Sequence, residues 1–85
     1  MNSYRNNRMR ACANNLEAGI NQYLDTLKPV GDIWIGVSHQ LHRLNSVKEE
    51  EVNGLIDSNN AKIERREIFN ATISLILATT KEDLV

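Results

Sequence analysis

An apolar stripe at helical spacing runs from Ile33 to Leu77, over half of the 85-residue chain. Apolar side chains return every three or four residues, which is the repeat of one face of an α-helix, whereas a strand would alternate. The stripe comprises Ile33, Val37, Leu41, Leu44, Val52, Leu55, Ile63, Phe69, Ile73, Ile76 and Leu77. Counted without interruption, Ile68 and Leu75 fall on the opposite, polar side. The pattern predicts an all-α protein.

The stripe allows two predictions for the helices of the segment 32–80. Gly54 and the polar run 57–60 are poor helix formers, because glycine is too flexible and short polar side chains compete for backbone hydrogen bonds. Ser46 begins a capping-box pattern, which favours the start of a helix. The segment is therefore either one bent helix of about 45 residues, or two or three shorter helices broken near Ser46 and near Asn59.

A second apolar seam precedes this segment and predicts a first helix over residues 8–28. Its members, again three or four residues apart, are Met9, Cys12, Leu16, Ile20, Tyr23 and Leu27. Pro29 disfavours helical geometry in the residue before it, and Asp32 is a favoured N-cap. The two helical segments are then joined by a short turn and lie antiparallel as a helical hairpin. Residues 1–7 are polar and are expected to form a flexible basic arm.

Chain length limits how this hairpin can bury its apolar surface. Eighty-five residues allow one domain with a thin core. The first helix is about half as long as the second segment, so the half of the stripe from Val52 to Leu77 lacks a partner in a simple hairpin. We therefore expect the hairpin to extend into a three- to four-helix bundle completed by a second subunit, as a homodimer. The expected interface residues are Trp34, Val52, Leu55, Ile63, Phe69, Ile73 and Ile76.

Charge and composition narrow the classes of partner. A net charge of −1 at pH 7 gives no overall field that attracts nucleic acid or acidic lipid. The only cysteine, Cys12, cannot form an intrachain disulfide, which fits a reducing compartment. No apolar run approaches the roughly 20 residues of a membrane-spanning helix, and no signal-peptide core follows Met1. We expect a cytoplasmic protein without a membrane partner.

One local charge cluster departs from this balance. Residues 1–16 contain three arginines and no acidic residue. Arginine side chains bind phosphate and other anions, and Tyr4 adds a stacking group. Tyr4, Arg5, Arg8 and Arg10 are thus the candidate contacts to an anion, a nucleotide or a nucleic acid. The alternative is a solvated arm without a ligand.

The sequence contains no recognisable catalytic or metal-binding motif. His39 and His42 share a helix face, but the neighbouring positions supply no third ligand, and Arg43 would repel a cation. The acidic run 49–51 fans around a helix as solvated surface. No Gly-rich phosphate loop or nucleophile–histidine pattern can be assembled. We predict no enzymatic activity, no cofactor and no metal.

Trp34-Ile35-Gly36 opens the second helical segment after a first helix, and in this it resembles the WXG100 proteins of type VII secretion. The resemblance implies a small helical hairpin that dimerises and is exported without a leader, with Trp34 and Gly36 as its functional residues. The family's acidic residue four places after a C-terminal aromatic is missing, since Ile73 occupies that position after Phe69. The two helical segments here are also unequal in length.

These features together predict a small regulatory binding module that acts through helix-face contacts with other proteins, as an adaptor, a regulator or a chaperone. The prediction rests on a surplus of apolar helix surface over the cover that one chain supplies. Nucleotide or nucleic-acid binding through the basic arm, and a leaderless secreted partner of the WXG100 kind, are the two alternatives.

Overall fold

The computed structural model describes residues 1–85 as four α-helices followed by a short 3₁₀ helix. The elements are α1 (Asn2–Asn14), α2 (Leu16–Asp25), α3 (Asp32–Val52), α4 (Ser58–Ala78) and the 3₁₀ helix Lys81–Asp83. α1 packs against α2 and α4, and α3 packs against the same two helices. Each helix therefore has two neighbours in a bundle that measures 41 × 23 × 16 Å. The predicted all-α class and the helical bundle are confirmed.

α3 ends at a left-handed glycine. Gly54 has a φ of 72°, a conformation that glycine adopts easily and that crowds other side chains. The amide of Leu55 donates to the carbonyl of Glu50 at 2.8 Å, and the amide of Gly54 donates to the carbonyl of Glu51 at 3.2 Å. These paired bonds are a Schellman C-cap, which satisfies the last carbonyls of the helix.

The loop 53–57 decides between the two readings of the segment 32–80. At its end, the carboxylate of Asp57 accepts a hydrogen bond from the amide of Asn60 at 2.8 Å and so caps α4. The segment is therefore two helices of 21 residues each, and a single bent helix is wrong. Ser46 lies within α3 and does not begin a helix. α3 ends and α4 begins on either side of the loop 53–57, so the break lies there.

The loop 53–57 also changes which residues of α4 lie on the same face as the apolar residues of α3. Ile68 is fully buried and Leu75 packs against the core, although an unbroken count puts both on the polar side. Ile63 and Leu77, counted as members of the stripe, are each 56% exposed. Because the residues 53–57 are not helical, α4 starts at a new rotation and buries a different set of positions.

Two helices, α1 and α2, replace the single first helix that the seam predicts over residues 8–28. Asn15 alone separates them, with an extended backbone (φ −155°, ψ 109°) and a side chain that accepts from the amide of Ala18 at 3.0 Å. α2 turns back so closely that a Cβ on Gly19 would lie 2.6 Å from the Cα of Cys12. The apolar spacing continues across this corner, so periodicity alone does not reveal it.

Residues 2–7 are helical and Met1 is the N-cap, which corrects the prediction that residues 1–7 form a flexible arm. They form the first half of α1. The hydroxyls of Tyr4 and Thr26 are hydrogen-bonded at 2.6 Å, and the guanidinium of Arg5 donates to the carbonyl of Thr79 at 2.8 Å. These tertiary contacts override the low helix propensity of an asparagine-rich stretch.

The core lies between all four helices. Its buried apolar side chains are Cys12, Ile20, Tyr23, Leu27, Val37, Leu44, Val47, Ala61, Ile68 and Ile76. The chain exposes 5363 Å², close to the roughly 5,100 Å² expected of a compact monomer of this mass. α4 thus receives its cover from α3 and α1, and the need for a second subunit that unequal lengths suggested disappears. None of the helices has the length and apolar content to cross a membrane.

A buried pair of hydroxyls joins α2 to the end of α4. Tyr23 and Thr79 are both fully buried, and their hydroxyls are hydrogen-bonded to each other. Thr79 also donates to the carbonyl of Leu75 at 2.8 Å, so the Tyr23 hydroxyl is the donor within the pair. Beyond α4, the carbonyl of Asp83 accepts from the amide of Lys28 at 2.8 Å. The residues after α4 therefore return to the turn between α2 and α3.

Gly54→Ala is expected to lower the free energy of unfolding by about 1–2 kcal/mol, because alanine tolerates left-handed backbone poorly. A Cβ at this position would meet nothing within 4 Å, so the loss would come from the backbone alone. Val30, which has a φ of 62° in the turn before α3, is the matched control: Val30→Gly should raise stability by up to about 1 kcal/mol. Urea unfolding followed by circular dichroism measures both. A neutral Gly54→Ala contradicts the proposed role of the glycine.

Stability is expected to fall between pH 10 and pH 12 because of Tyr23. Burial raises the pKa of this phenol from 10.0 to about 12. The unfolded chain releases the proton first, so the contribution is complete below pH 10 and is lost as the pH rises through 12; it amounts to at most about 2–3 kcal/mol. Urea unfolding of the native chain and of Tyr23→Phe across this range measures the difference. Parallel pH profiles for the two proteins would refute the assignment.

Candidate functional site

Seven large apolar side chains stay exposed, in two groups toward opposite ends of the α3–α4 pair. One group comprises Val30, Ile35, Leu77 and Val85, and the other comprises Val52, Leu55 and Ile63. α3 and α4 are antiparallel: their connecting loop has five residues, and Gly36 near the start of α3 lies against Leu75 near the end of α4. The loop end of the pair therefore carries an apolar surface of its own.

We call residues 49–57 the tip; they comprise the last turn of α3 and the loop to α4. The start of α2 lies beside the residue just before the tip, because Lys48 Nζ is 2.5 Å from Glu17 Oε2. No hydrogen bond or ion pair connects the tip to α1 or α2. Val52 is 85% exposed and Leu55 is 76% exposed, because the tip projects past the helices that would cover it.

Two contacts connect the tip to the rest of the bundle. Glu51 forms an ion pair with Arg65 of α4, and Ile56 packs against the core. These contacts, together with the Schellman cap and the Asp57 cap, hold the loop in one shape. Val52 and Leu55 are left pointing to solvent on a defined support, which is the geometry of a preformed contact surface.

The charge of the tip has one sign. Glu49, Glu50, Glu51 and Asp57 are its ionisable residues, and it contains no lysine or arginine. Only Glu51 has a cationic partner. The tip itself is therefore acidic, and its acidic run had been assigned to ordinary solvated surface. Lys48, just before the tip, is the nearest cation in sequence and lines a shallow groove together with Glu49, Val52 and Asn53.

The structure places the predicted interface residues in three different environments. Ile76 is fully buried, so its assignment to an interface is corrected. Trp34, Phe69 and Ile73 are half-buried and pack against the core. Only the three tip-side residues Val52, Leu55 and Ile63 are open to a partner. The helical count grouped six of the seven, all except Trp34, because it did not include the rotation introduced by the loop 53–57.

The four candidate anion contacts do not form one surface. Tyr4, Arg5 and Arg8 are half-buried on the inner side of α1, whereas Arg10 is exposed, because positions 5 and 8 share a helix face and position 10 does not. The guanidinium carbon of Arg8 lies 5.9 Å from the centre of the Tyr4 ring. Arg5 binds the carbonyl of Thr79, so it helps to cap α4. Three of the four side chains, Tyr4, Arg5 and Arg8, thus have partners within the chain.

A groove of about 360 Å³ lies between the start of α2 and the α3–α4 pair. It is lined by Asn15, Leu16, Glu17, Leu44, Lys48 and Arg65. Both of its cations are paired, Lys48 with Glu17 and Arg65 with Glu51. The groove therefore has no unpaired cation to offer to an anionic ligand.

The two histidines lie on the exposed side of α3. His42 borders a shallow groove of about 300 Å³ between α3 and α4, which also contains Arg43 and Glu64. No three histidine, cysteine or acidic side chains are placed to hold a metal ion together. The Arg43 guanidinium lies 3.8 Å from a carboxylate oxygen of Glu64 and 3.7 Å from one of Glu67, so the cation beside His42 in this groove is engaged in ion pairs.

The tripeptide behind the WXG100 resemblance has a packing role in this bundle. Trp34 is half-buried against the core. A Cβ on Gly36 would lie 2.9 Å from a methyl carbon of Leu75, so glycine permits the close approach of α4. No family model, no curated protein and no solved structure matches the chain. The resemblance is therefore limited to these three positions.

Arg5→Ala is expected to lower the free energy of unfolding by about 1 kcal/mol, since it removes a charged hydrogen bond to the end of α4. Arg10→Ala, on the exposed side of the same helix, is the matched control and should change stability by less than about 0.5 kcal/mol. Urea unfolding measures both variants. Equal effects at the two positions would show that the inner and outer sides of α1 are not distinct.

Proposed function

We propose that this chain is a small, non-enzymatic helical binding protein that docks on a partner protein through its tip. The observation that carries the proposal is the exposure of Val52 and Leu55 on a projecting loop that the rest of the chain holds in shape. Exposed apolar side chains on a rigid support lose little conformational freedom on binding, which favours association. An adaptor, a regulator or a chaperone acts through contacts of this kind.

The carboxylates around the tip define the chemistry of the partner. Glu49, Glu50 and Asp57 lack cationic partners within the chain. A complementary partner surface has an apolar depression for Val52 and Leu55 and lysines or arginines at its border. Such border charges mainly raise the rate of association and are screened by salt, while the apolar contact supplies the affinity.

A second copy of the chain could also bind to the tip, and the homodimer stays a prediction. In a symmetric tip-to-tip contact, Val52 and Leu55 of one copy would face those of the other, and the two sets of carboxylates would repel each other. For this reason we favour a different protein as the partner. Light scattering on the purified chain distinguishes the two: a dimer that Leu55→Ser converts to a monomer would establish self-association.

The double variant Val52→Ser, Leu55→Ser is expected to abolish binding to the partner without unfolding the bundle. The matched control is Ile35→Ser, Leu77→Ser, which removes similarly exposed apolar side chains from the other end. Each immobilised chain is incubated with an extract of the source cells, and captured proteins are quantified at low and at high salt. We expect a partner that native chain and control both retain, that the tip variant loses, and that binds more weakly at high salt.

Two results would contradict the proposal. Either the tip variant captures the same proteins as the native chain, or native chain and control capture nothing that the tip variant lacks. Circular dichroism of both double variants guards against an indirect effect, because substitutions of exposed side chains should change stability by less than about 0.5 kcal/mol each.

A further inference from the structure

We propose that α1 is a lid that opens as a unit about the corner at Asn15, while α2, α3 and α4 stay folded. The inference does not depend on the tip, which lies at a different part of the bundle. Proteins open in cooperative segments, and the segments with the fewest buried contacts open most readily. α1 is the helix that meets this condition.

α1 contributes less to the core than any other helix. Cys12 is its only buried residue, and Tyr4 and Met9 are half-buried against the core, whereas α2 buries three residues, Gly19 included, and α3 and α4 bury four each. Since apolar burial is the main force that holds a helix to its neighbours, the attachment of α1 is the weakest of the four.

The inner face of α1 is also unusual in carrying arginines. The Nε atoms of Arg5 and Arg8 are shielded from solvent and have no hydrogen-bond partner. A shielded donor without a partner is costly, because it has lost its bond to water and gained none in return. Opening of α1 returns both groups to water, which offsets part of the contacts that are lost.

Interactions between residues of α1 contribute little to the stability of this helix. Met1 caps the helix without a side-chain hydrogen bond, and neither an acidic residue in the first turn nor a basic residue in the last turn complements the helix dipole. Asparagine, a poor helix former, occupies Asn2, Asn6, Asn7 and Asn14. The position of α1 therefore depends mainly on its contacts with α2 and α4.

The hydrogen bonds that attach α1 to the other helices lie near its start, and its closest backbone approach lies near its end. Near the start, Tyr4 is bonded to Thr26 of the α2–α3 turn and Arg5 to the end of α4. Near the corner, Cys12 lies in backbone contact range of Gly19. Asn15 is the single non-helical residue between α1 and α2, so rotation there swings the whole helix. Such a movement uncovers the side of α2 and α4 against which α1 packs.

The chain holds two natural probes for this movement. Cys12 is the only cysteine and is 2% exposed, so a thiol reagent reaches it only when α1 opens or the bundle unfolds. Trp34 is the only tryptophan and lies in α3, so its fluorescence reports unfolding of the other helices. Labelling of Cys12 by an aromatic disulfide reagent, measured over a range of urea concentrations, separates the two events.

We expect labelling in water at least about tenfold faster than global unfolding allows, with a weaker dependence on urea than the Trp34 transition, since less surface is exposed in the partial opening. If the labelling rate follows the global unfolding equilibrium at every urea concentration, the lid does not exist. Both outcomes are decided on the native chain, without any substitution.

Gly19→Ala tests the corner directly, because its Cβ would meet the backbone of Cys12 at 2.6 Å. It should accelerate labelling by a further factor of about ten and lower the global stability seen by Trp34 by the equivalent free energy, because the clash exists only while α1 is closed. Tyr4→Phe, which removes only the hydroxyl bonded to Thr26, is the milder variant if Gly19→Ala fails to fold. Gly36→Ala at the α3–α4 contact is the control: it should lower global stability but leave labelling in water unchanged, since its contact with Leu75 persists while α1 is open. If Gly36→Ala accelerates labelling in proportion to its loss of global stability, Cys12 is reached only through global unfolding, and the proposal is overturned.

Discussion

The reversal at Gly54 is the constraint on which the rest of this structure depends. A chain of 85 residues with a long apolar stripe must find cover for that stripe, and a left-handed glycine supplies it by turning α4 back along α3. The same five-residue loop that closes the bundle also leaves Val52 and Leu55 uncovered. The internal packing and the proposed docking surface therefore have one physical origin.

The opposite end of the bundle is closed by polar contacts. Tyr23 donates to Thr79 inside the core, Tyr4 and Arg5 bring α1 to the same end, and the residues after α4 return to the α2–α3 turn. Buried hydroxyl pairs require a specific geometry that apolar contacts do not. This end consequently sets how the four helices are aligned, while the apolar core supplies most of the stabilisation.

The proposed function and the proposed lid occupy separate parts of the molecule. The tip is an acidic, apolar projection beyond the start of α2, and α1 covers the α2–α4 side of the bundle. No match to a known family guides the choice of partner. The surface chemistry itself limits that choice, because carboxylates bordering two apolar side chains favour a partner of the opposite charge.

Local patterns determined the helical class, the turn at Pro29 and the seam residues Cys12, Ile20 and Tyr23, all of which are found as expected. These features follow from spacing and backbone geometry, which a sequence displays directly. Tertiary structure alone decided the corner at Asn15, the rotation of α4 and the ordering of residues 1–7. Each depends on contacts between residues distant in the chain, such as Arg5 with Thr79. It also decided which part of the apolar stripe is exposed, because exposure depends on where neighbouring helices end.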